Sequence, residues 1–190
     1  ARREGLRRIL ILEDDVLLAQ DFHLRFAQLM QAIGPGWKLI QLGASQYNWA
    51  SVDEAAAIQL GHYRPRQLDT CGSFAMGVDA SIFDELIEAQ SAFESPFDHA
   101  SMGEIYERHL GKCFVCYPNI VIPDVGTSVI REGRDQVTHS QKMRWRLAEF
   151  VYPRPRPSLA LLVQSPRNLQ YLDRFAPAAD VHRCAMGDEV

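Results

Sequence analysis

Leu6 to Leu12 is a leucine- and isoleucine-rich run without a charge after Arg8, and three consecutive acids, Glu13, Asp14 and Asp15, end it. A continuous apolar run of this kind suits a strand buried on both faces of a mostly parallel sheet. Parallel neighbours need a crossover, and a helix follows directly. Asp21 stands at the N-cap position, Phe22, Phe26, Leu29, Met30 and Ile33 fall at helical spacing, and Gly34-Pro35-Gly36 stops the element.

The same alternation continues along the chain. Trp37 to Leu42 reads as the next buried strand, Gly43 opens a polar and aromatic loop through Tyr47 and Trp49, and Val52 to Leu60 reads as a short helix. Gly61 to Asp69 has the look of a loop. Ser73 to Val78 returns as a strand, followed by a helix over Ile82 to Ala89 with Asp79 or Ser81 as its cap. Beyond the turn Ser95-Pro96-Phe97-Asp98, the pattern predicts a helix over Met102 to Leu110 and a strand over Cys113 to Tyr117. Strands alternating with helices imply an α/β sandwich. Tyr152 to Pro157 alternates Pro with Arg, a stiff extended linker that divides a body, 1–151, from a tail, 159–190. The tail carries a strand-like run, Leu159 to Val163, and a helix-like one, Asn168 to Phe175. It is too short to bury a core of its own, so it docks on something or begins a further module.

Composition removes several function classes. A formal net charge of -4 is the wrong sign for sequence-independent nucleic-acid binding. The basic residues cluster at Arg2, Arg3, Arg7 and Arg8, and again at Arg131, Arg134, Lys142, Arg144 and Arg146. The second cluster reads either as a solvated face or as a contact for a diphosphate. No stretch approaches the roughly 20 apolar residues of a membrane helix, and the start lacks the apolar core of a secretory signal. A cytoplasmic location is the expectation, with peripheral membrane association left open. The four cysteines, Cys71, Cys113, Cys116 and Cys184, make no disulfide framework. Cys113-Phe-Val-Cys116 lies inside an apolar run and reads as buried strand thiols, with zinc or redox chemistry as the alternative.

The acids carry the chemistry. In an extended strand alternate side chains share a face, so Glu13 and Asp15 point together at the sheet's carboxyl end, where open α/β sheets bind ligands, and Asp14 points away. Two like charges about 4 Å apart repel by about 4 kcal/mol at an effective dielectric near 20. A hard divalent cation, Mg2+ or Mn2+, offsets that repulsion and keeps coordination positions for phosphate oxygens. The plainer alternative is that the acids solvate a strand end.

Arg8-Ile-Leu-Ile-Leu-Glu-Asp-Asp-Val16 resembles the start of response-regulator receiver domains, but the other receiver signatures are missing: Trp37 to Leu42 ends without an acid, and no Lys-Pro dipeptide occurs. A broader resemblance is to the family 25 glycosyltransferases, which include bacterial lipooligosaccharide galactosyltransferases and collagen galactosyltransferases. It rests on Leu12-Glu-Asp-Asp-Val16, Trp37-Lys-Leu-Ile-Gln-Leu-Gly43, Gly72-Ser-Phe-Ala-Met-Gly-Val78, Pro96-Phe-Asp98, Tyr117-Pro118 and Ser128-Val-Ile130, in the same order and spacing over residues 8–131.

That resemblance implies a GT-A-like αβα sandwich with a mostly parallel central sheet, and transfer of a hexose from a nucleotide-diphosphate sugar, such as a UDP-sugar, to a glycan or glycoconjugate acceptor with inversion. It implies Asp15 as the chief metal ligand, Glu13 as a ligand to metal or ribose, His139 as a late third ligand, and Asp98 as the base that activates the acceptor. Substrate-side roles then fall to Asp14, Tyr47, Trp49, Gly72, Ser128, Arg131 and Arg134. The family places a nucleotide-binding portion ahead of its acidic triplet, so the expectation is a chain carrying the metal and acceptor side. Two alternatives stand beside this one: a non-catalytic GT-A-like binding domain and a receiver-like phospho-signalling domain.

Overall fold

The computed structural model describes residues 1–91, 96–124 and 136–150. In chain order the elements are β1 (Arg8–Leu12), β2 (Val16–Leu18), α1 (Phe22–Ile33), β3 (Leu39–Gln41), β4 (Ser45–Gln46), α2 (Glu54–Leu60), β5 (His62–Tyr63), β6 (Thr70–Cys71), β7 (Ala75–Asp79), α3 (Phe83–Ser91), α4 (Ala100–Arg108), β8 (Cys113–Cys116), β9 (Val121–Pro123) and α5 (Gln136–Lys142). The Pro/Arg linker, the tail 159–190, Cys184, and the site candidates Ser128, Arg131 and Arg134 lie outside the described residues.

Five strands form one mixed sheet in the order β1-β7-β3-β8-β5, and two-stranded ladders join β2 to β9 and β4 to β6. Alternation along β3 and β8 sorts the core into two layers. Ile40 and Phe114 pack with Leu29 of α1, Trp37, Phe74 and Trp145 on one side. Leu39 and Cys113 pack with Ile82, Phe83, Leu86, Ile105 and Tyr106 of the α3 and α4 region on the other. Helices therefore cover both faces, as the alternating sequence pattern implied.

Strand direction departs from expectation. Only β3 and β8 pair in parallel, while β1–β7, β7–β3 and β8–β5 are antiparallel. The reason is the position of β7. β1 and β3, joined by the α1 crossover, do run the same way, but β7 inserts between them in the opposite sense, with Ile40 and Leu10 both facing Gly77 in register. Apolar periodicity records burial, not direction, so an inserted antiparallel strand has the same signature as a parallel one.

β1 is also not buried on both faces. It is the sheet's outer strand, with β7 its one strand partner among the described residues, and Leu10, Ile11 and Leu12 remain 46%, 41% and 43% exposed. Its apolar run would need cover on the second edge to be buried. Smaller corrections follow the same logic. The stretch read as loop from Gly61 contains β5, whose two residues pair with Cys116 and Val115. Asp21 precedes α1 but makes no side-chain capping bond; it lies instead 3.6 Å from Arg25, one turn on. Asp53 and Asp79, in contrast, accept backbone N–H bonds from Ala56 and Ser81 and cap the helices that follow them.

The thiols of Cys71, Cys113 and Cys116 are free and buried. Burial pushes the Cys113 and Cys116 thiols up to about 12, so the C-x-x-C pair behaves as strand packing. Among the described residues, no helix is long and apolar enough to cross a membrane.

Candidate functional site

The loops that follow β1 and β3 and the turn that precedes β7 meet at one end of the sheet, because β7 runs opposite to its two neighbours. Two glycines make the approach there. A Cβ on Gly43 would stand 1.8 Å from the Val121 carbonyl oxygen, and Gly72 has φ +111°, in the region that favours glycine. Gly72-Ser73 is thereby held as a tight connector between β6 and β7. The fully buried Gln41 donates from Nε2 to the Gly72 carbonyl at 2.6 Å, which fixes the turn to the end of β3.

That turn joins two of the acids singled out in the sequence. The Ser73 hydroxyl donates to Glu13 Oε1 at 2.7 Å, and the Gly72 N–H donates to Asp98 Oδ2 at 2.9 Å. Glu13 is held in addition through its own N–H, which donates to the Phe74 carbonyl at 3.0 Å. Asp98 reaches the turn from the segment that leads into α4. The Cys71 thiol beside it is pushed up to about 11, by burial first and then by the charges of Asp98 and Asp69.

The acidic triplet itself divides. Extended backbone stops at Leu12, and residues 14 and 15 form a turn, so the face shared by Glu13 and Asp15 does not materialise. Asp15 instead starts the β2–β9 ladder, its carbonyl accepting from the Asp124 N–H at 2.6 Å. Its carboxyl is pushed above the ordinary aspartate range by burial first, then by the neighbouring charges of Asp14 and Asp124. A carboxylate destabilised by like charges is a donor set suited to a hard cation, and Mg2+ in particular binds through one or two carboxylates while keeping water and phosphate ligands. Among the described residues, no group of three or more His, Cys, Asp or Glu side chains is arranged to hold a metal.

His139 is buried on α5, with its ring 6.4 Å from Tyr47 and perpendicular to Trp145 at 5.5 Å. Trp145 donates from its indole N–H to the Ala44 carbonyl at 2.9 Å, which seats this region on the loop after β3. Tyr47 is exposed; its N–H donates to the Asp69 carbonyl at 2.7 Å, and Asn48 reaches the Asp69 carboxylate at 3.3 Å. Trp49 turns away from Tyr47. It packs on Tyr63 and Tyr117, carries the Arg144 guanidinium 4.4 Å above its ring, and donates to the Lys142 carbonyl at 3.2 Å.

The structure thus brings Glu13, Gly72 and Asp98 together, sets Asp14 and Asp15 beside Asp124, and groups Tyr47 with His139. Sequence reasoning passed over Ser73, Gln41 and Asp124. Asp124 had a signal: it ends the apolar run Ile120 to Pro123 as the triplet ends Leu6 to Leu12. Gln41 had none, since a lone Gln at the end of a buried run does not announce its partner. Comparison of the chain with known protein families, with curated proteins and with solved structures returned no match.

Proposed function

We propose that the chain carries the metal and acceptor side of a glycosyltransferase of GT-A type, which moves a hexose from a nucleotide-diphosphate sugar to a glycan or glycoconjugate acceptor. The observation that carries the reading is the Gly72-Ser73 turn, which ties Glu13 of the acidic triplet and Asp98 to a single backbone connector. Acids from separate chain segments, gathered at the strand ends of an α/β sheet, stand where such folds bind ligands.

In this reading Asp15, with Asp14 near it, would hold Mg2+ or Mn2+, which would supply charge neutralisation for the leaving nucleoside diphosphate. Glu13, oriented by Ser73, meets the metal or the ribose. Asp98 is the base: the Gly72 N–H holds Oδ2 and so aims Oδ1, which takes the proton as the acceptor oxygen bonds to the anomeric carbon. The bond from that carbon to the diphosphate breaks on the opposite face, giving inversion. A positioned base of this kind contributes roughly 10²–10⁴-fold. Tyr47, exposed on its loop, offers an aromatic face for a sugar ring.

The test is calorimetric titration of UDP and UDP-hexoses into the chain with and without Mn2+. Manganese-dependent binding that Asp15→Ala abolishes is the expected result. Absence of binding by any nucleotide sugar under either condition would remove the reading.

A further inference from the structure

The hydrogen bonds between β1 and β7 fix which backbone groups stand on the open edge of β1. The Glu13 N–H donates to the Phe74 carbonyl at 3.0 Å and the Ala80 N–H to the Arg7 carbonyl at 2.8 Å, at the two ends of the register that pairs Leu10 with Gly77. Backbone groups alternate in direction along an antiparallel strand, so the odd-numbered residues from Arg7 to Glu13 turn their N–H and C=O toward β7. Arg8, Leu10 and Leu12 therefore point theirs away from the sheet, and these meet no backbone partner among the described residues.

The side chains along this edge are not those of a blunted one. Edge strands are protected by bulges, prolines or charges within the strand. β1 instead pairs without a bulge over Arg8–Leu12, and Leu10, Ile11 and Leu12 are all exposed. The charges stand at its ends and are sorted by sign: Arg7 and Arg8 come first, and Glu13, Asp14 and Asp15 follow. Such an edge is complementary to a reversed copy of itself.

We propose that β1 is a homodimer interface, in which a second copy of the chain pairs its own β1 antiparallel across a two-fold axis at Leu10. Leu10 then faces Leu10 and Arg8 faces Leu12, each pair exchanging N–H···O=C bonds between the outward-pointing groups. Ile9 lies against Ile11. Arg7 lies against Glu13 in a non-hydrogen-bonded pair, where opposed side chains come closest. Glu13 Oε1 already accepts from Ser73, which leaves Oε2 for the guanidinium, so each copy contributes a cation to the acidic strand end of the other. This register uses the whole of β1 and sets opposite charges against each other. The chain's own apolar run Leu159–Val163 is the rival occupant, but Arg154, Arg156 and Arg167 flank it and it offers no acid to Arg7. The inference does not rest on the glycosyltransferase reading.

Sedimentation velocity of the full chain over a concentration series, with hydrogen exchange at the Leu10 and Leu12 amides, tests it. A reversible dimer is expected, and those amides gain protection as concentration rises. Arg7→Glu or Glu13→Arg alone sets like charges opposite each other on both sides of the axis and raises Kd about tenfold, and the double variant Arg7→Glu/Glu13→Arg restores it. Leu10→Lys, at an exposed position, places two ammonium groups together at the axis and leaves a monomer. A parent chain that stays monomeric at every concentration overturns the proposal, as does a dimer that Leu10→Lys leaves intact or a pair of charge reversals that do not rescue each other. Protection of the two amides in a monomer, independent of concentration, would assign the edge to the chain's own tail and likewise overturns it.

Discussion

Replacing Asp98 with alanine removes the acceptor for the Gly72 N–H in a part-buried turn. A hydrogen bond to a charged group contributes about 1.5–3 kcal/mol, and the backbone donor left behind in the turn adds a desolvation cost. The expected loss in the Asp98→Ala variant is about 2 kcal/mol, which for a chain of this size lowers Tm by about 4–8 °C. Asp98→Asn keeps an oxygen where Oδ2 stands, so its loss should stay below about 1 kcal/mol. Urea unfolding of the three proteins side by side separates the roles of shape and charge. If Asp98 is the base, Asp98→Asn also lowers kcat by roughly 10²–10⁴ while the fold is retained. Identical midpoints for Asp98→Ala and the parent chain would refute the structural argument. A midpoint for Asp98→Asn as low as that of Asp98→Ala would refute the assignment of the bond to the oxygen alone.

Asp15 has a folded-state pKa raised above its ordinary 3.8, so the folded chain binds its proton more tightly than the unfolded one. Stability from this group is therefore fully present below 3.8 and is lost as pH rises through the raised folded value. Asp15→Asn should raise Tm at neutral pH, and the gain should vanish in acid; a gain that persists below 3.8 would assign the effect to something other than charge. Gly43→Ala would place a Cβ 1.8 Å from the Val121 carbonyl oxygen and 2.8 Å from the Phe74 ring, and should cost more than about 3 kcal/mol in chemical unfolding. Gly36→Ala, with nothing within 4 Å of the new atom, is the matched control and should not share that loss.

How much of this was legible in the sequence varies by element. α1 was read to its true ends because Phe22, Phe26, Leu29 and Met30 repeat at helical spacing and Gly34 stops them, all within one local window. The strands over Leu39–Gln41, Ala75–Asp79 and Cys113–Cys116 were legible as buried runs for the same reason. The two-residue strands β4, β5 and β6 were not, since a pair of residues carries no periodicity and is defined only by what it pairs with.

The site divides along the same line. Sequence alone determined that acids follow apolar strands, because that is a property of neighbouring residues. Only tertiary structure decided that β7 inserts antiparallel between β1 and β3, leaving the apolar β1 at the edge among the described residues, and that the Glu13 carboxylate meets Ser73 while the Asp15 carbonyl accepts from the Asp124 N–H. Those outcomes depend on pairings between residues far apart in the chain: Glu13 and Ser73 are 60 positions apart, and Arg8 and Asp79 are 71. Chain direction and long-range hydrogen bonding leave no mark on local periodicity, which reports how deeply a side chain is buried and not which strand lies beside it.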